Sequence, residues 1–255
     1  MSQVISSAYT VSSGQTDNGN IVVSGGIEMI VAGGNTISTV VSSGGQEVIS
    51  NGGSATATSV TFSGVQIVSS GGTADGTIVS SGGSAVILTG GTVDGAIVSS
   101  GGVLSASPNA IVQSATISSG GVGSGITLGS GGVFTVLSGG SAVSAAVQSG
   151  GAAIVSSGAT WISTGVQSGG TVTVLGGLAS AAALSGGASQ TVSSGGTGSD
   201  TVVLGGAIEI VSSGGEADST SVGSGGIQSV LAGGSAQLTV VSSGGLISGG
   251  GEVRG

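Results

Sequence analysis

The sequence predicts an all-β chain, a right-handed parallel β-helix (β-solenoid) of about thirteen coils of about 19 residues each. Three observations carry that expectation. Gly-Gly pairs recur at fixed spacing, β-branched residues hold fixed places between the pairs, and the composition joins abundant glycine to abundant aliphatic side chains. Of 255 residues, 58 are glycine, yet 38% are hydrophobic and only 4% are charged. A disordered Gly/Ser linker has low hydrophobicity, and collagen needs glycine at every third position with abundant proline. This chain has one proline, and its glycines mark turns between segments that must be buried.

One set of turns runs Gly14, followed by Gln15, then the Gly-Gly pairs opening at Gly33, Gly52, Gly71 and Gly90, then a slot at Asn109-Ala110. A second set runs Gly25, Gly44, Ser63-Gly64, Gly82, Gly101 and Gly120. Each set advances by one constant step, as from Gly33 to Gly52 to Gly71, and the two interleave so that a longer interval (Gly33 to Gly44) alternates with a shorter one (Gly44 to Gly52). The register slips between Gly120 and Gly131, where a longer interval stands in place of a shorter one, and loosens again between Gly169 and Gly186. A repeat of this length is the signature of a stacked architecture.

Positions inside the unit define its strands. In one slot of the longer interval lie Val22, Val41, Val60, Val79, Val98 and Ile117. Two places earlier lie Thr39, Thr58, Thr77, Ala96 and Ala115. These positions share strand parity and face the same way. In one slot of the shorter interval lie Ile30, Ile49, Val68, Ile87 and Ala106. Such residues favour strands, and a helix would not tolerate paired glycines at this frequency. Equivalent positions in successive coils would then stack about 4.8 Å apart, with the right-handed winding that parallel crossovers prefer. The expected organisation is a segment or cap at 1–13, a solenoid at 14–247 and a tail at 248–255.

Composition excludes much chemistry. The chain has no cysteine, no histidine and one basic residue, Arg254, with a formal charge of −9. Disulfides, thiolate or imidazole metal ligands, and Ser–His or Cys–His catalysis are therefore impossible. A single cation cannot neutralise a run of phosphates, so nucleic acid is excluded as a partner. No apolar run approaches the length of a membrane-spanning helix. The first sixteen residues have neither the basic nor the apolar region of a secretory signal. No catalytic, cofactor-binding or metal-binding residues are assigned, and the chain is not expected to be an enzyme.

The phrases VSSGG at 41–45, 211–215 and 241–245, IVSSGG at 67–72, 78–83 and 97–102, and GGTADGTIVSSGG at 71–83 resemble the AIDA-type repeat of self-associating autotransporter adhesin passenger domains. The resemblance implies a right-handed β-helix that is secreted or on a Gram-negative cell surface. It also implies adhesion, autoaggregation or biofilm formation by self-association, and in some members glycosylation on Ser or Thr. Similar repeats also resemble the N-terminal parts of secreted proteins that end in an intein-like processing domain. The implied partner is another copy of the chain, with surface glycans as a further class. A passive stalk or end-to-end stacking subunit and a glycan-binding β-helix are the alternatives.

Several residues stand out. GGTGSDTVV at 195–203 matches a calcium-binding nonapeptide in which Asp200 would be the ligand, but the following stretch, GGAIEIVSS at 205–213, breaks the pattern. An ordinary turn followed by a strand explains it equally. Asp75 and Asp94 share one slot a coil apart, as do Glu28 and Glu47. Stacked carboxylates repel and can share a cation; with no cationic or aromatic subsites nearby, outward, solvated side chains are expected. Trp161 takes a slot otherwise held by Ala55, Ala74 and Ala142, which points to packing. Phe134 falls in the slot of Glu28, Glu47 and Gln66, which leaves open whether its ring is exposed with them or packed. Phe62 replaces a turn serine. Thr171-Val172-Thr173 is a Thr-x-Thr but belongs to no regular array of the kind that would bind ice.

Overall fold

A computed structural model describes residues 2–167 and 169–255; Met1, the first residue of the expected segment 1–13, lies outside the described residues. Among the described residues every regular element is a strand, and nearly all pairings are parallel, giving a β-solenoid of about 13 turns of about 19 residues. The chain divides into two compact units, Met1–Thr127 and Leu128–Gly255.

In the first unit each coil carries three short strands. One coil runs Asn35–Ile37, Val40–Val41 and Gln46–Ile49; the next runs Ser54–Thr56, Ser59–Val60 and Val65–Val68. Identical strands stack into three walls, in register. On the two-residue wall Val4 pairs with Ile21, Ile21 with Val40, Val40 with Ser59 and Ser59 with Ile78. On the four-residue wall Ala8–Val11 pairs with Ile27–Ile30, and the stack continues through Gln46–Ile49, Val65–Val68, Ser84–Ile87 and Val103–Ala106.

The turns explain the glycine spacing. Gly44 has φ of 80°, where an L side chain is disfavoured. Its neighbour Gly45 lies so close to the previous coil that a Cβ would sit 2.4 Å from the Val22 carbonyl oxygen. A second corner follows each three-residue strand, with Ser38, Ala57, Gly76 and Gly95 all in the left-handed region. These corners are bonded coil to coil: Gly33 N–H donates to the Gly52 carbonyl at 2.8 Å, and Ser38 N–H to that of Thr56 at 2.8 Å.

The expected ladders line the interior. Val22, Val41, Val60, Val79 and Val98 are fully buried, as are Ile30, Ile49, Val68 and Ile87, and the Thr39, Thr58 and Thr77 hydroxyls share that interior.

The slip at Gly120 is a change of strand type. Val122–Ser124 is the three-residue kind by sequence, yet it stacks on Val103–Ala106 of the four-residue wall. Two long intervals in succession leave the chain one strand type out of phase. In the second unit the three-residue strands Ser141–Val143, Thr160–Ile162, Leu178–Ser180 and Thr197–Ser199 stack on one another. The longer strands Ala152–Ser156, Thr171–Leu175, Ser189–Ser193, Ile208–Val211 and Ile227–Val230 form their own wall. The loosened stretch before Gly186 is a coil shortened by one position, since Thr171 pairs with Ser189.

Candidate functional site

Glu28 and Glu47 are not solvated outward carboxylates. Both are fully buried, stacked on each other in adjacent coils, with Gln66 next in the ladder. They lie two places before Ile30 and Ile49, and strand parity turns them inward with those side chains. Glu47 Oε1 accepts from the Thr36 and Thr58 hydroxyls, each at 3.2 Å, and its Oε2 accepts from Gln66 Nε2 at 2.7 Å. Glu28 accepts from Asn20 Nδ2 at 2.6 Å and from the Thr39 hydroxyl at 3.2 Å. The second unit has its own version: Glu209 sits between Gln190 and Gln228, accepting from Gln190 Nε2 at 3.2 Å, Gln228 Nε2 at 2.8 Å and the Thr220 hydroxyl at 2.9 Å.

No cation balances these groups; the single basic side chain, Arg254, is exposed and paired with Glu252 at 2.6 Å. Burial pushes the Glu47 carboxyl up to about 7, against the pull of its hydrogen-bond donors, and the Glu28 charge adds to the rise. Burial likewise raises Glu28 and Glu209.

A pairing rule in the sequence marks these coils. Each ladder slot is faced across the interior by one slot of the next longer interval. Glu28, Glu47, Gln66, Gln190, Glu209 and Gln228 are matched in this way by Thr39, Thr58, Thr77, Thr201, Thr220 and Thr239. Ala85, Leu104 and Phe134 are matched by Ala96, Ala115 and Ala145. Ala153 breaks the rule with Thr164, and the buried Thr164 hydroxyl has no hydrogen-bond partner among the described residues. This co-variation was the signal that the ladder faces inward.

Phe134 is buried rather than exposed, for the same reason of parity. It meets Trp161 edge to face, with ring centroids 5.4 Å apart. Trp161 is a packing residue, 1% exposed; its indole N–H has no partner among the described residues. Phe62 projects from a corner at 65% exposure, with φ of 47°, in line with Ser43 and Ser81.

The seven remaining carboxylates are segregated. Asp17, Asp75, Asp94, Glu216, Asp218 and Glu252 lie on three-residue strands, and Asp200 follows one. Asp75 and Asp94 stack as expected, and Asp94 Oδ1 accepts from the Ser114 hydroxyl at 2.5 Å. Asp200 occupies the left-handed corner slot that Ser38 and Ala57 hold in the first unit, with φ of 54°, and accepts from the Ser199 hydroxyl at 3.1 Å. Among the described residues no three His, Cys, Asp or Glu side chains gather as a metal site would require. The walls of longer strands carry no charge at any outward position. In the first unit they present Ile27, Met29, Val48, Val65, Ile67 and Val86 among Thr, Ser and Gln. Thr171 and Thr173 face outward on the equivalent wall, beside Ser189 and Thr191.

Stacked coils, in-register parallel walls and serine-lined corners define a repeat β-solenoid. Among solved structures the chain is similar to the TibC-catalysed, hyper-glycosylated TibA55-350 fragment, with 34% sequence identity, a TM-score of 0.62 and coverage of 99% of this chain and 98% of that one. No protein-family model matches the chain, and no curated protein matches it. Identity at this level over nearly the full length shows that the chain belongs to the AIDA-type repeat family of autotransporter adhesin passenger domains. It is thereby placed among secreted or cell-surface proteins.

Proposed function

We propose that this chain is a non-enzymatic adhesive solenoid that binds a second copy of itself side by side, promoting autoaggregation and biofilm formation at an outer membrane surface. The observation that supports the reading is the segregation of charge. Within the first unit every surface carboxylate, Asp17, Asp75 and Asp94, sits on the three-residue strands, so two copies can meet through that unit's wall of four-residue strands without opposing like charges. That wall carries Ile27, Met29, Val48, Val65, Ile67 and Val86, aliphatic enough to gain from leaving water. Cells displaying the chain should clump, and Ile67→Lys, which puts a charge on the wall, should reduce clumping several-fold at unchanged display. Equal clumping by the variant, or none by the parent chain, contradicts the reading.

A second reading concerns the corners. Ser81, Ser100 and Ser119 form an exposed ladder of hydroxyls, and the similar TibA fragment is hyper-glycosylated. We propose that these serines accept sugars from a glycosyltransferase. Intact-mass measurement of chain made with and without such an enzyme should show added increments of whole sugar residues. An unchanged mass contradicts it.

A further inference from the structure

The interior alternates along the chain between two kinds of coil. Coils with Glu or Gln in the ladder slot are closed by Thr hydroxyls and side-chain amides, whereas coils with Ala85 or Leu104 in that slot are closed by aliphatic contact. Only the first kind holds ionisable groups in its interior. We propose that the polar coils are proton-gated: protonated Glu28, Glu47 and Glu209 hold them shut, and ionisation loosens them locally while the apolar coils of the same unit stay closed.

The argument is geometric. A buried carboxylate is stable only if paired with a cation or saturated with donors. Glu47 faces one other titratable group, Glu28, stacked in the adjacent coil. Its hydrogen-bond donors are the uncharged Thr36, Thr58 and Gln66. Glu28 faces Glu47, Asp17 and Tyr9. The phenol of Tyr9 donates to Asp17 Oδ2 at 2.7 Å, and that bond holds it above its usual range, so it stays neutral and cannot balance a carboxylate. Around Glu209 stand Gln190, Thr201, Thr220 and Gln228, with no charged group among them. Gln190 Oε1 is buried with no donor among the described residues, so a proton on Glu209 adds a donor to a cage that has a spare acceptor. Ionisation of both Glu28 and Glu47 would set two unbalanced charges about one coil spacing apart in a dry interior. Burial pushes the Glu47 carboxyl up to about 7, which places the transition in the ordinary extracellular range.

Opening a polar coil would free the ladder hydrogen bonds of its strands, so amide hydrogen exchange reads the device directly. Exchange of the full chain, corrected for the intrinsic pH dependence of the chemistry, should be compared at pH 5 and pH 8. The strands Ile27–Ile30, Gln46–Ile49 and Val65–Val68 should open at least tenfold more at pH 8. The strands Ser84–Ile87 and Val103–Ala106 should change little. Glu47→Gln keeps the cage's shape and removes the charge, and should abolish most of the rise. Opening that is equal in both sets of strands, or a rise that survives in E47Q, overturns the proposal. If E47Q fails to fold, Glu209→Gln reads the same question on Ile208–Val211, and the wild-type contrast between polar and apolar coils decides by itself.

Discussion

The paired glycines do two different jobs. Gly44 supplies a left-handed corner at φ of 80°, a conformation that Ser63 and Asn109 also adopt in the same turns, both at φ of 62°. Gly45 instead supplies clearance, since a Cβ there would lie 2.4 Å from the Val22 carbonyl oxygen. Gly45→Ala should therefore cost about 1–3 kcal/mol through a forced backbone shift, and Gly44→Ser no more than about 1 kcal/mol, measured by urea unfolding. Ala188 and Ala207 hold the slot of Gly45 in other coils, so the local approach sets the penalty rather than the repeat. A second contrast concerns threonine. Thr58→Ala removes a donor to Glu47 and should cost about 1 kcal/mol or more, whereas Thr164→Ala deletes a hydroxyl without a partner among the described residues and should be neutral or stabilising. At this scale the sequence was legible wherever sterics dominate. It misled where a carboxylate was assumed to seek water. Glu28 and Phe134 do share one slot, but the slot faces inward, as the parity with Ile30 required and as the matching threonines, Thr39 and Thr58, record.

Strands of two to four residues are too short to be stable alone, and each holds its place only because an equivalent strand lies above and below. The spacing of the turns made those strands legible. The slip at Gly120 was legible as a count but not as a structure, because a count does not tell which wall the extra residues join. Val122–Ser124 shows the answer, a three-residue strand seated on the four-residue wall. Further along, Phe134 and Trp161 fill an interior otherwise lined by alanines such as Ala142, Ala145 and Ala153. Such small neighbours cannot collapse to refill the space, so Trp161→Ala should cost about 3–5 kcal/mol, read from urea unfolding by circular dichroism. As the chain's one tryptophan, Trp161 also serves as a fluorescence probe of the second unit.

Across the whole molecule the distribution of acid groups governs both stability and association. For Glu47 the folded carboxyl is raised from 4.5 to about 7, so the folded state binds the proton more tightly than the unfolded chain. Stability is then highest below about pH 4.5 as far as this group is concerned, falls as pH rises towards 7, and levels off above it. The loss amounts to about 3 kcal/mol. Glu28 and Glu209 act with the same sign. The thermal unfolding temperature should accordingly be higher at pH 5 than at pH 8, and Glu47→Gln should narrow the gap. On the outside of the first unit, the acidic three-residue strands and the uncharged four-residue wall divide the surface into a repelling and a mating part, and we propose that the mating part joins two copies. Sedimentation velocity of the purified chain over a range of concentrations tests it most directly. The account predicts concentration-dependent dimers that Val48→Lys with Ile67→Lys abolishes and that Asp75→Asn leaves intact. A chain that stays monomeric throughout, or dimers that survive the two lysines, would contradict it.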